Sequence, residues 1–315
     1  MIQGPTPVLL RDAYYVLKPA IPKRVRMAAR RSLARRRRSR VGHCWPIDEK
    51  AGARPEHWPG WPGGKRFAFV LTHDVEGQRG LDRCHDLARL EMRLGFRSSF
   101  NFVPEGEYSA PASLRGFLID HGFEVGVHDL HHDGKLYRSR QAFDRNAKQI
   151  NEYLRSWGAV GFRSAFMLHN LDWLRQLDTL YDASTFDTDP FEPQPDAAGT
   201  IFPFWVSRDA SDGYVELPYT LAQDSTMFLV LRETSIDVWK RKLEWVAARG
   251  GMALVNVHPD YMSLDRKKRR GEYSGDLYAD YLGHAAIHYG QDAWFALPRD
   301  VARFYRDHVL SSTAA

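Results

Sequence analysis

The side chains able to do chemistry fall into short clusters, each placed just after an apolar run. Asp74 and Glu76 stand two residues apart behind Phe67-Ala68-Phe69-Val70-Leu71. His128 and His132 are four apart, with His131 between them. Two imidazoles at that spacing can point one way from a helical turn and share a metal, and a carboxylate such as Glu76 completes a two-His, one-carboxylate set with room for water. His131 reads as a bystander, with Asp129 and Asp133 as partners for imidazole N–H groups. A metal-activated water needs a base and a leaving amine needs an acid. On an extended segment Asp74 and Glu76 can face one site, which leaves Asp74 as the base. Arg163 can hold Asp74 ionised through a charge-assisted pair. His258 is the natural acid. Each residue also has a plainer reading: Asp74 as a turn residue, Arg163 in a surface ion pair, His258 as a histidine satisfied ahead of Pro259, the histidine cluster as a polar loop.

The elements that must position these groups alternate along the chain. Short apolar strands are expected at Phe67–Leu71, Ser98–Val103, Glu124–Val127, Val160–Phe162, Tyr181–Phe186, Val215–Leu217, Met252–Val257 and Trp294–Leu297. Helices are expected between them, among them Arg140–Trp157, with Phe143, Ala147, Ile150 and Leu154 on one face. Residues 187–214 read as a long Pro- and Gly-containing excursion. Strands alternating with amphipathic helices imply a parallel sheet. Seven or eight such units favour a distorted (β/α)7-8 barrel over an open doubly wound sheet. Thr72–Glu76, His128–His132, Arg163, Asp187-Thr188-Asp189 and His258-Pro259-Asp260 all follow the C-terminal ends of strands, where barrels build their active sites.

The chain has 315 residues and a net charge of +5. Ten basic residues and no acid lie between Lys23 and Arg40, so the remainder carries −5. The expected organisation is a basic N-terminal extension over 1–65 and a barrel over 66–310. The segment 23–40 could attach to an anionic membrane surface or stay solvated, while no nucleic-acid module accompanies its charge. The loop Arg266-Lys267-Lys268-Arg269-Arg270 suggests a large or anionic substrate. Two cysteines, Cys44 and Cys84, cannot form a disulfide framework. With no apolar stretch long enough to span a bilayer, the expectation is a cytoplasmic protein, peripheral on the inner membrane if the basic arm attaches.

Five segments together resemble the polysaccharide deacetylase family, the NodB-homology or carbohydrate esterase family 4 type, over roughly Arg66 to Asp307. "FAFVLTHDVE", "GFEVGVHDLHHDGKL", "GFRSAF", "YDASTFDTDPF" and "LVNVHPDY" follow the order of its motifs. The resemblance implies a divalent metal, Zn²⁺ first, held by Glu76, His128 and His132. It implies Asp74 as base, Arg163 as its brace, His258 as acid, and Asp187 as the aspartate tuning that acid. The spaced Asp74-Val75-Glu76 is similar to a subgroup with peptidoglycan deacetylase and allantoinase-like members, rather than to the adjacent aspartates of the usual motif. Ala165 stands where proline is usual, and Pro190-Phe191 where tryptophan is usual, which leaves Asp189 open as the alternative to Asp187. The implied activity is removal of an N-acetyl group from a sugar of a glycan, glycolipid or polysaccharide precursor. The alternatives are a C–N hydrolase of a small cyclic amide or ureide on the same site, and a non-catalytic glycan-binding or scaffold protein.

Overall fold

Strands apolar on both faces need cover on both faces; here helices cover the outer face and the sheet curls to cover its own inner face. A computed structural model of the chain describes residues 23–42, 45–209, 212–265, 267 and 269–310. The proline-broken stretch 1–22, Cys44, Arg266 and Lys268 lie outside the described residues. The elements run α1 (Lys23–Val41), β1 (Phe67–Val75), α2 (Gln78–Leu94), β2 (Ser99–Phe102), α3 (Ala112–Asp120), β3 (Glu124–His128), α4 (Arg140–Trp157), β4 (Gly161–Arg163), a one-turn α5 (Leu171–Leu174) and β5 (Tyr181–Asp182). Then follow β6 (Phe204–Asp209), β7 (Asp212–Glu216), a π-helix (Ser225–Leu231), α6 (Asp237–Arg249) and β8 (Met252–Val257). A small β9 (Met262–Ser263) and β10 (Tyr273–Ser274) pair precedes α7 (Gly275–Tyr289), β11 (Ala293–Ala296) and α8 (Pro298–Phe304).

These strands curl into a distorted (β/α) barrel. β1, β2, β3, β4, β5 and β7 are parallel neighbours in that order. β8 pairs with the opposite edge of β1, and β11 extends the β2 edge by pairing with Phe67 to Val70. The ring closes where the segment after β7 meets β8. Leu221 bridges Val255 there, and the Thr220 hydroxyl replaces a ladder bond, donating to the Met252 carbonyl at 2.8 Å and accepting from the Leu254 N–H at 3.0 Å.

Local sequence explains the outer helices. In α4 the side chains of Phe143, Ala147, Ile150 and Leu154 are all at most 2% exposed, so the stripe expected from spacing is the one that packs. Burying each large apolar member stabilises the fold by about 1.5–3 kcal/mol. Ser139 caps the start by accepting from the Ala142 N–H at 3.1 Å, and Gly158 ends the helix at φ 63°.

Four regions differ from the sequence expectation. The 187–214 excursion contains β6, which pairs antiparallel with β7. Its Phe204-Trp205-Val206 run carries the β-forming residue types. The ladder of β5 covers only Tyr181 and Asp182, and Phe186 makes an isolated bridge to Tyr219. The basic arm forms α1, a helix without Gly or Pro that packs on the barrel: Ala34 is buried, Arg31 Nε donates to the Leu229 carbonyl at 2.9 Å, and Arg37 donates to the Pro190 carbonyl at 2.6 Å. Arginine is a good helix former.

Residues 45–65, expected as part of an extension, bury Trp45, Ala51, Trp58 and Trp61 in the main core. The Trp58 ring lies 4.8 Å from Trp61, 5.3 Å from Phe202 and 6.3 Å from Phe304. Trp58→Ala should therefore destabilise the protein by about 3–5 kcal/mol, as for other buried aromatic truncations. Equilibrium denaturation checks this, and an unchanged midpoint would mean that the segment is a detachable appendage.

Candidate active site

Strand alternation sends successive side chains to opposite faces. His73 faces α2, where its Nε2 lies 2.8 Å from Glu91 Oε1. Thr72 and Asp74 face the other way, into the barrel. Asp74 is 2% exposed, and an isolated buried carboxylate is costly. Donors from three other strands answer it. Asn101 Nδ2 of β2 donates to Oδ1 at 3.0 Å, Asn256 Nδ2 of β8 to Oδ2 at 2.7 Å, and Arg163 of β4 to Oδ1 at 3.3 Å. Arg163 also donates to Thr72 Oγ1 at 2.9 Å and to the Ala183 carbonyl at 2.7 Å, which fixes its fork. Burial works against the charged form of Asp74, but Arg163, then His128 and His258, outweigh it and hold the carboxyl well below its ordinary value. Space for Asn101 comes from Gly126 on β3, where an added Cβ would lie 2.2 Å from Asn101 Oδ1.

Glu76, His128 and His132 converge, each offering one ligand atom, all within 4.8 Å of one another. The two imidazoles meet at 4.9 Å between ring centroids, but not from a helical turn. The loop after β3 is irregular, with Asp129 at φ 57° and His132 at φ 54°. Asp129 serves the loop backbone, accepting from the N–H groups of Leu130 at 2.7 Å and Ala165 at 3.2 Å, and Asp133 binds Lys135. The expected carboxylate partners of the imidazoles thus do other work. His128 Nδ1 instead lies 3.0 Å from the Arg163 carbonyl, which assigns its proton to Nδ1 and leaves Nε2 a lone pair. His132 Nε2 is buried with no hydrogen-bond partner, lying 3.3 Å from Glu76 Oε1 without the alignment of a bond. Among the described residues this is a donor set short of one acceptor of lone pairs, and it fits a divalent cation. His131 turns away, its Nδ1 3.3 Å from the Glu105 carbonyl.

His258 follows β8 and is 4% exposed. Asp224 grips it twice, with Oδ1 2.6 Å from Nδ1 and Oδ2 accepting its backbone N–H at 2.9 Å. The other nitrogen, Nε2, lies 3.8 Å from Glu76 Oε1. Burial opposes the charged ring, but Asp224, then Glu76 and Asp74, push its pKa up to about 10. Tyr261 donates to Glu76 Oε2, and Asp260 accepts the Glu76 N–H at 2.9 Å.

Asp187 is not brought to His258. It is buried against Lys242, whose Nζ is 2.5 Å from Oδ2, and burial raises its pKa despite that partner. Asp189 accepts from Tyr219 at 3.0 Å and is pushed up to about 7 by burial and then by Glu192. The carboxylate bound to His258 is Asp224, seven residues beyond Leu217 and outside every motif quoted above. Asn101, Asn256, Tyr261 and Asp224 were missed as site residues. The signal for the two asparagines was a polar residue inside an otherwise apolar strand. Asp224 had no local signal, because only the closure of the ring sets it beside β8.

No family model matches the sequence, and neither does any curated protein. Among solved structures, the chain is similar to a presumed polysaccharide deacetylase from Mycobacterium smegmatis, at 16% identity and a TM-score of 0.62, over 80% of this chain and 94% of that one. Looser likenesses are to a peptidoglycan deacetylase from Bacillus subtilis (12% identity, TM-score 0.45, 80% of this chain and 97% of that one). Another is to a family 4 carbohydrate esterase from Streptomyces lividans (13%, 0.42, 73% and 91%).

The Asp224 grip yields a direct expectation. Asp224→Asn removes the charge that opposes burial, so the His258 transition should move down from about 10 toward the ordinary 6.5. A nuclear magnetic resonance titration of the ring protons, assigned against His258→Gln in metal-free protein, reads the shift. A transition that stays put would show that Asp224 does not govern the ring. The likeness to the mycobacterial structure over most of both chains shows that this chain has the polysaccharide-deacetylase fold.

Proposed function

We propose that the protein is a metal-dependent deacetylase that hydrolyses the N-acetyl amide of a sugar in a glycan, glycolipid or polysaccharide precursor. The observation that carries this reading is the pairing of a depressed carboxylate with an elevated imidazole around one cation-ready trio. Asp74 Oδ2 lies 4.0 Å from His128 Nε2, and His258 Nε2 lies 3.8 Å from Glu76 Oε1. Groups whose environments drive their pKa values apart make an acid and base assignment.

Glu76, His128 and His132 would hold the ion, Zn²⁺ in the first instance. When bound, a divalent ion supplies polarisation of the amide carbonyl and a more acidic water. Asp74, kept ionised by Arg163, Asn101 and Asn256, takes the proton of the attacking water. His258 keeps a proton on Nε2 because Asp224 occupies Nδ1, and it gives that proton to the departing sugar amine. Tyr261 and the Glu76 N–H bond to Asp260 fix the reach of the longer Glu76 side chain. The likeness in fold to the mycobacterial deacetylase supports the substrate class.

Metal content and acetate release, measured side by side on N-acetylated sugars, test the reading. The wild type should hold about one divalent ion, and His128→Ala or His132→Ala should lose it. Asp74→Asn should keep its ion and lose about 10²–10⁴-fold in turnover, the usual share of a general base. Near wild-type turnover by Asp74→Asn would remove Asp74 from the mechanism. Hydrolysis of cyclic amides or ureides alone would move the substrate to that class. Glycan binding that is unchanged in Asp74→Asn, with no turnover of any substrate, would make the protein a scaffold.

A further inference from the structure

Three segments far apart in sequence bring together arginines that have no carboxylate partner among the described residues. α1 ties down two of the neighbouring segments. Arg37 bonds to Pro190, in the loop that carries Asp189 and Glu192, and Arg31 bonds to Leu229 on the π-helix. That π-helix begins directly after Asp224, the residue holding His258, and ends at Arg232, which sits in a left-handed conformation at φ 64°. From the π-helix, Phe228 stacks on Tyr273 at 4.6 Å between centroids, drawing in the loop that carries Arg270. With Arg35 one turn from Arg31 on α1, these contacts bring Arg31, Arg35, Arg232 and Arg270 into one neighbourhood.

The surrounding carboxylates are taken by other cations. Glu233 pairs with Arg38, Asp265 with Arg269, and Glu272 with Arg79 and Arg83. Among the described residues none of the four gathered arginines has a carboxylate partner. Their mutual repulsion registers at Arg31, whose guanidinium pKa is lowered by burial and then by Arg232, Arg270 and Arg35. Like charges held together by backbone bonds and ring stacking, with no internal counterion, leave a place for an external anion. Guanidinium forks match phosphate oxygens in pairs.

We propose that Arg31, Arg35, Arg232 and Arg270 form a binding site for a phosphate or diphosphate group, at the far end of the π-helix that starts beside Asp224. The inference rests on the deacetylase reading and narrows its substrate to a sugar joined to a phosphorylated carrier.

Calorimetric titration of the full chain with inorganic pyrophosphate tests the site, with the His132→Ala background excluding binding to a metal. Saturable binding is expected in both backgrounds. Arg232→Gln and Arg270→Gln, at exposed positions, should each weaken it about tenfold, the worth of one charge-assisted contact. Arg31→Gln should weaken it further, and Arg145→Gln on α4 should leave it unchanged. Binding should also fall as salt rises from about 0.1 M to about 1 M. Equal affinity in all four variants, or no saturable binding, overturns the site. A parallel arm uses vesicles of phosphatidylglycerol. Adsorption to vesicles without affinity for pyrophosphate means a diffuse membrane-attracting surface and also overturns it. Loss of pyrophosphate binding with acetate release intact would sink this inference alone. Pyrophosphate binding with no acetate released from any N-acetylated sugar would sink the deacetylase reading and spare the anion site.

Discussion

A charged carboxylate sealed inside a barrel is the constraint from which the site follows. Asp74 has almost no water to solvate it, and an unanswered charge there would cost several kcal/mol. Its neighbours on three strands are accordingly donors, and each donor needs its own support. Arg163 is held by Thr72 and Ala183, and Asn101 accepts from the Ser99 hydroxyl at 3.1 Å. Gly126 leaves the room that Asn101 occupies. The polar interior is thus one connected arrangement in which removing a single donor exposes the charge behind it.

The opposite electrostatic arrangement serves the imidazoles. His128 is turned by a backbone carbonyl, a neutral partner, and burial lowers its pKa, which favours a free lone pair. His258 is turned by a carboxylate and keeps its proton. Two histidines in one cavity acquire different roles from what holds their far nitrogens.

Much of this was legible in the chain. Parallel strands, amphipathic helices and strand-end clusters are local patterns, and β3, α4 and β8 fall within one residue of where spacing set them. The trio of Glu76, His128 and His132 also converges as the residue types suggested. What escaped was non-local or irregular. The spacing of His128 and His132 suggested a helical turn, yet left-handed residues make the convergence. Asp187 was the aspartate that the motif resemblance implied. A short β5 ladder and the Lys242 ammonium hold it elsewhere, while Asp224 gains its position from the closing of the ring. The arginine-rich segment was read from its charge as an arm that attaches to an anionic surface or stays solvated; in the structure its anchors are backbone carbonyls of distant loops, which spacing does not show.

The seam between the segment after β7 and β8 has a dynamic consequence. A threonine hydroxyl, an isolated bridge and two backbone bonds to the Leu254 carbonyl close the ring there, whereas β1 and β8 pair along a continuous ladder. Native proteins open first where backbone bonding is sparse. Asp224 follows one lip of that seam and His258 the other. A transient parting of the lips would separate the imidazole from its carboxylate. The proton on His258 therefore depends on the local closing equilibrium of two strands as well as on the acidity of the solution.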